Sequence, residues 1–418
     1  MMSSREYIQS FTARKGIWIL LANVLSKGMG FASIVFVTRS TTEEAFGSYA
    51  FSFNIINAVV PFMGLGAYQA FLRFSADSKG LSHKKLLYEY AFTWGLVISI
   101  LLSLSIVLLS PWLCNDLPNS ISSLQIVAWV IPTTLCMEFV KSYARAMHLN
   151  ALSARVDLTY SLVLPVLTVF LTNMLGITGY ALAITLSPFI AMWPYGYRLG
   201  LYGIRWKLQM ASWSPFWKYG VFTAIGALLS QLFYAIDLYM IGEFRPDHPE
   251  VIAAYRVAAI IPLASLILPG SVAATDFVKN AQRANNRSAL KAYVFQYWRT
   301  FGLLSVVLLG LIWVMAPSIL GIFGNQYVAS TSLLRILLFG SVGAHLLRVP
   351  FGNLLSAVGK ATWNTYINIA VLVLTVLLCG VLLPLYEIEG AALAMSIMMW
   401  FSGLLNALGF WWYWRGLV

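Results

Sequence analysis

Charge is the scarcest property of this sequence. Of 418 residues only 10% are Asp, Glu, Lys or Arg, where soluble domains carry about a quarter, and acids are rarer still, with 15 against 27 basic residues. With 60% of residues hydrophobic, a water-soluble fold is excluded. Cysteine is almost absent: Cys114, Cys136 and Cys379 lie far apart and form no Cys-x-x-Cys, which argues against a metal site or a disulfide framework. The four histidines, His83, His148, His248 and His345, are equally scattered. No Walker A sequence occurs, so the chain does not hydrolyse ATP by that route, and any active transport must draw on an ion gradient or a partner. No long polar loop interrupts the sequence either, which leaves little room for a soluble enzyme domain.

What remains is apolar sequence in long runs. A span needs about 20 apolar residues to cross roughly 30 Å of hydrocarbon, and only helices or closed barrels satisfy the backbone there. The runs are too long for the ten-residue alternation of an outer-membrane barrel. They predict an all-α polytopic membrane protein with about 12 transmembrane helices. The first six are Gly16 to Val37, Phe46 to Tyr68, Leu87 to Trp112, Ile121 to Phe139, Leu158 to Leu175 and Gly179 to Tyr197. The second six are Phe216 to Ile241, Val251 to Ala274, Val294 to Ala316, Leu333 to Val349, Tyr366 to Leu383 and Gly390 to Trp412. The first run lacks an Ala-x-Ala site, so it reads as a retained span, and no signal peptide is expected.

The basic residues set an orientation. Arg73, Lys79, Lys84 and Lys85 cluster in one connection, and Lys279, Arg283, Arg287 and Lys291 in another, whereas the alternate connections carry only Arg39, Arg245, Arg256 and Arg335. By the positive-inside rule both termini are cytoplasmic, and the net charge of +12 needs no nucleic-acid partner. Trp411, Trp412, Tyr413 and Trp414 have the composition of an interfacial anchor.

An internal repeat relates the halves. GITGYALA, Gly176 to Ala183, precedes the sixth span, and EIEGAALA, Glu387 to Ala394, precedes the twelfth. An even number of spans returns the chain to the same side, so the repeats are parallel, as two pseudo-symmetric six-helix bundles around a central cavity. The expected division is 1–207 and 208–418.

Polar residues within spans are the candidates for function, because membrane insertion of a charge costs roughly 2.5–3.5 kcal/mol at a helix centre. Lys27 sits mid-span on one face with Asn23, Ser26 and Gly30. Ser230, Gln231, Tyr234 and Asp237 form a comparable stripe in span 7, where Asp237 is the one acid expected inside a span, and Asn54, Asn57, Pro61 and Gly64 mark span 2. Arg256 lies one turn into span 8, and His345 and Arg348 lie in span 10. Asp237 and Arg256 are also spaced to neutralise each other as a structural ion pair. Glu138 and Lys141 read as an i,i+3 pair at the rim of span 4.

Several stretches carry a resemblance. TRSTTEEAFGSYAFSFNI from Thr38 and GLGAYQAFLRFSAD from Gly64 resemble the N-terminal signature of polysaccharide flippases in the multidrug/oligosaccharidyl-lipid/polysaccharide exporter superfamily. AIDLYMIGEF from Ala235, AAYRVAA from Ala253, IFGNQYVASTSLLRIL from Ile322 and LLSAVGKATWNTYINI from Leu354 continue the likeness. One departure is Ser40, Thr41 and Thr42 where that family usually has Leu-Gly-Pro. The type that it resembles is the Wzx O-antigen flippase.

The resemblance implies translocation of an undecaprenyl-pyrophosphate-linked oligosaccharide, a lipopolysaccharide biosynthesis step, across the bacterial inner membrane by alternating access. It implies no enzyme activity, no cofactor, possible coupling to an H+ or Na+ gradient, and a polysaccharide polymerase and chain-length regulator as partners. Substrate contacts would then fall on Lys27 and Arg256 for diphosphate, and on Asn23, Asn57, Gln231 and Tyr234 for glycan or cavity water. Asp237 would serve ion coupling, with His345 and Arg348 as further lumen candidates. The alternatives are a multidrug and toxin extruder of the same superfamily, which should carry a deep carboxylate where this chain has Lys27, and a membrane polymerase or ligase, which should carry a long outer loop.

Overall fold

The computed structural model describes residues 16–76, 80–147, 149–201 and 213–416. Among these residues all regular structure is helical. Nine helices are long and apolar enough to span a membrane by themselves: Glu43–Ser75, Leu81–Leu113, Pro118–Ala146, Ala151–Leu175, Ile177–Arg198, Pro249–Ala273, Arg287–Val314, Asn325–Ala357 and Thr362–Arg415. Ser214–Phe233 and Ile236–Phe244 make one more span, broken between them. Gly16–Ser40 is a helix of 25 residues, and the run Ala361–Arg415 is two helices that meet at Glu387. Among the described residues this makes twelve helices of spanning length. Most outrun the expected segments at one or both ends, because the helices continue beyond the apolar core, while spans 8 and 9 stop at Ala273 and Val314, short of the expected Ala274 and Ala316.

The repeat is visible in the backbone. Spans 5 and 6 join through Gly176 at φ 60°, ψ −137°, and spans 11 and 12 through Glu387 at φ 53°, ψ −139°. Three residues on, a Cβ on Gly179 would stand 1.9 Å from the Leu171 carbonyl oxygen, and one on Gly390 would stand 2.1 Å from that of Leu382. Glycine is required at both places because the hairpin presses helix against backbone. Spans 4 and 10 also begin alike, each with a 3-10 turn, Pro118–Ser120 and Asn325–Ser330.

Cα packing divides the chain into two compact units. One holds Gly28–Ala235 with Arg245–Ala253, and therefore includes the first part of span 7. Its core is aromatic: Phe71, Tyr88, Phe92, Phe139 and Tyr143 meet at ring distances of 4.9–6.4 Å, mostly edge-to-face. Between helices in lipid there is no water to exclude, so such van der Waals contact carries association. The other unit holds Ile236–Phe244 and Ala254–Val418, along with the start of span 1. Its core runs through Leu290, Tyr293, Tyr297 and Phe301 of span 9, Phe351, Leu354 and Leu355 of span 10, and Phe410 of span 12.

Candidate functional site: interrupted spans and their polar caps

Span 7 breaks at Tyr234 and Ala235, whose amides turn back to the carbonyls of Gln231 (3.0 Å) and Leu232 (3.1 Å). A break within a membrane helix frees backbone groups that lipid cannot satisfy. The Ala235 carbonyl accepts a hydrogen bond from the buried Asn54 side-chain amide at 2.7 Å. On the far side of the break Asp237 occupies the first turn of Ile236–Phe244, where a carboxylate is favoured by the helix dipole. Its Oδ1 accepts from the Leu238 amide at 2.8 Å and its Oδ2 from the Tyr255 hydroxyl at 2.6 Å. Asp237 is 5% exposed and Tyr255 1%.

Arg256, half-buried beside Tyr255 on span 8, makes no salt bridge to the Asp237 carboxylate. The expected ion pair is therefore replaced by a tyrosine hydrogen bond. Helical geometry explains the substitution: neighbouring residues on a helix point about 100° apart, so the face that brings Tyr255 to Asp237 turns Arg256 aside.

Span 2 is interrupted as well. Pro61 has no N–H to offer the Asn57 carbonyl one turn earlier, and Met63, Gly64 and Leu65 leave helical geometry. Gly64, Leu65 and Gly66 have φ of 54°, 48° and 72°. A Cβ on Gly66 would lie 2.2 Å from the Gly220 carbonyl oxygen of span 7, so the break is packed directly on backbone. Asn57, Gln231 and Tyr234 are half-buried beside these two interruptions. The side chains of Asn23, Lys27 and Ser230 lie outside the described residues.

His345 and Arg348 belong to a different group. Span 10 widens to a π-turn over Ala344–Arg348 and span 9 to another over Trp298–Gly302. The freed carbonyls of His345 and Leu346 accept from Tyr297 Oη (2.8 Å) and Trp298 Nε1 (2.9 Å). His345 is fully buried, with Nε2 3.0 Å from Ser265 Oγ at the end of Pro249–Ser265, and Ser265 in turn donates to the Pro262 carbonyl at 2.6 Å. Arg348 donates to Asn368 at 3.3 Å. These bonds knit span 8 to spans 9, 10 and 11 within one unit.

Lys141 meets Glu138 at 2.7 Å as the i,i+3 spacing predicts, and it also meets Asp157 of span 5 at 2.7 Å. Its charge is spent on two carboxylates. Asp237 is not the sole acid inside a span: Glu89 is buried too, 5% exposed within Leu81–Leu113, and Asp276 (1%) is buried just beyond the end of span 8, in Ile267–Gln282.

The sequence profile of a family described as polysaccharide biosynthesis protein matches residues 12–275, well over half of the chain, and the MatE profile matches residues 223–381. The chain belongs to the polysaccharide biosynthesis protein family. No curated protein sequence matches it significantly. Among solved structures it is similar to an inward-facing multidrug resistance MATE family transporter of the MOP superfamily, at 14% identity and TM-score 0.77, over 94% of this chain and 95% of that one. It is similar to the lipid II flippase MurJ in an inward closed conformation, at 14% identity and TM-score 0.76, over 94% and 87%. A MOP superfamily transporter from Pyrococcus furiosus, described as having a binding pocket of reverse polarity, follows at 15% identity and TM-score 0.68, over 97% and 95%. The fold of this polysaccharide biosynthesis family member is thus similar to that of MOP superfamily transporters.

Two residues central to the breaks escaped the sequence reading as site residues. Asn54 was visible only as one of several polar residues on span 2, and nothing local marks the distant Ala235 carbonyl as its acceptor. Tyr255 sits among alanines and valines as an ordinary core aromatic would.

Proposed function

We propose that this protein is a flippase that carries a polyprenyl-diphosphate-linked oligosaccharide, of the O-antigen repeat-unit type, across the bacterial inner membrane by alternating access. The observation that carries the reading is the interrupted, polar-capped span 7 in a member of the polysaccharide biosynthesis family. Unwound membrane helices lined by amide, hydroxyl and carboxyl groups are where secondary transporters of known architecture bind substrate and coupling ions. On this reading 1–207 and 208–418 are the two repeats, the termini are cytoplasmic, and a polymerase and a chain-length regulator take the product.

Lys27 and Arg256 are assigned to the diphosphate, since ammonium and guanidinium groups bind phosphate oxygens with charge-assisted hydrogen bonds. Asn23, Asn57, Gln231 and Tyr234 are assigned to glycan hydroxyls, and Asp237 to the coupling cation, H+ or Na+. His345 and Arg348 are second-rank candidates, given their burial. A second reading, a multidrug extruder, is favoured by the MatE match and the buried Asp237 carboxylate.

The deciding experiment is reconstitution of the purified protein into vesicles that carry a polyprenyl-diphosphate oligosaccharide. Appearance of the glycan on the opposite face, measured by an impermeant glycosidase, is expected with this substrate and not with organic cations. The reverse pattern overturns the flippase reading.

A further inference from the structure

A groove of about 700 Å³ runs along the face of spans 9, 10 and 12 within one unit. Its floor is closed. Ser396 donates to the Ile336 carbonyl at 3.0 Å and Trp400 Nε1 to the Phe339 carbonyl at 3.0 Å, and Gly340 lets span 10 press on Ser396. With the polar groups of the floor satisfied, its walls are hydrocarbon. Phe339, Ile397 and Leu404 are each at least 47% exposed. At one end stands Arg335, the only ionisable side chain of the lining among the described residues.

Arg335 is held in place. Its guanidinium carbon lies 4.4 Å from the centroid of the Trp313 ring, and its Nε donates to the Trp313 carbonyl at 3.3 Å. Stacking and one hydrogen bond fix the plane of the fork, while the terminal amino groups have no acceptor among the described residues. The groove extends along span 12 from Leu393 to Leu404, roughly 16 Å at 1.5 Å per residue. That is about half of a hydrocarbon core of some 30 Å. Its length fits one leaflet, and its cation stands at the interface end of it.

We propose that this groove binds a bilayer phospholipid with an anionic headgroup, its phosphate on Arg335 and an acyl chain along Phe339, Ile397 and Leu404. On the orientation set by the basic loops the site faces the outer leaflet. The charge balance favours a singly charged phosphodiester over a diphosphate. One guanidinium matches one negative charge, and Glu389, hydrogen-bonded to Ser332 one turn beyond Arg335, would repel a second. The site is independent of which substrate the protein moves.

Native mass spectrometry of the full-length protein tests this, with phosphatidylglycerol, phosphatidylcholine and a polyprenyl diphosphate as the added lipids. The wild type is expected to retain one phosphatidylglycerol at least tenfold more tightly than phosphatidylcholine. R335Q should remove that preference, and L404W, which fills the groove and leaves Arg335 in place, should weaken retention of the same lipid. Should R335Q fail to reach the membrane, L404W decides alone. Unchanged retention in both variants, or equal binding of the two phospholipids, reduces the groove to ordinary solvation by lipid and overturns the proposal. Tighter binding of the polyprenyl diphosphate overturns it in favour of the carrier.

Discussion

Gly176 and Glu387 occupy the same backbone conformation 211 residues apart, within 7° in φ and 2° in ψ. One is glycine, which reaches positive φ freely, and the other bears a side chain that rarely does. The first half therefore makes its hairpin without strain and the second half with it.

Glu387→Gly is expected to stabilise the protein, since a non-glycine residue in this region costs of order 1–3 kcal/mol. Part of the gain is lost with the contacts of the Glu387 side chain. Gly176→Ala should destabilise by a similar amount. Thermal unfolding in detergent, with both variants beside the wild type, gives the two signs. A lower midpoint for Glu387→Gly would mean that its side chain contributes more than the backbone strain removes.

The cap on the span 7 break makes a second prediction. Asn54→Leu leaves the Ala235 carbonyl without its donor in a buried place, at a cost of about 1–3 kcal/mol. Thermal midpoint should fall. A midpoint equal to that of the wild type would show that water reaches the carbonyl.

Asp237→Asn keeps an oxygen for the Tyr255 hydroxyl but removes the charge, and is expected to leave membrane abundance near normal while abolishing dependence of transport on an ion gradient. Tyr255→Phe should instead preserve coupling and lower stability, because the carboxylate loses its 2.6 Å donor. Gradient-driven transport by Asp237→Asn at the wild-type level would leave Asp237 as a helix cap only.

With Gly16 to Val37 as a span, Lys27 at its middle is expected roughly 16 Å from either end at 1.5 Å per residue, too deep to reach an interface easily. If it serves the diphosphate, Lys27→Ala should reach the membrane at near-normal abundance and abolish surface polysaccharide, and Lys27→Arg should keep part of the activity. Loss of the Ala variant from the membrane would make Lys27 a structural residue.

The spans and the repeat were legible in the sequence because both are written locally. Apolar runs of fixed length name the spans, and GITGYALA against EIEGAALA names the hairpins down to Gly179 and Gly390. The interruption in span 2 was not expected, although Pro61 and Gly64, which read only as part of the polar face of that span, lie at it. The break at Tyr234 and Ala235 had no such marker, since neither residue is proline or glycine, and what sustains it comes from Asn54 and Tyr255 elsewhere in the chain. Lys141 shows the same limit. Its near partner Glu138 follows from helical spacing, whereas Asp157 depends on how spans 4 and 5 pack. The left-handed turn before span 12 was hidden because glutamate fills it.

The contact of Gly179 with the Leu171 carbonyl, and of Gly390 with that of Leu382, has a mechanical meaning. Helices that touch backbone to backbone beside a one-residue turn cannot slide without collision, so spans 5 and 6, and likewise 11 and 12, behave as stiff forks. Spans 2, 7 and 8 are jointed instead, at Met63 to Gly66, at Tyr234 and Ala235, and at Leu266. A displacement imposed on the protein will divide unequally: the forks ride as rigid levers, and the compliance sits in the three jointed helices.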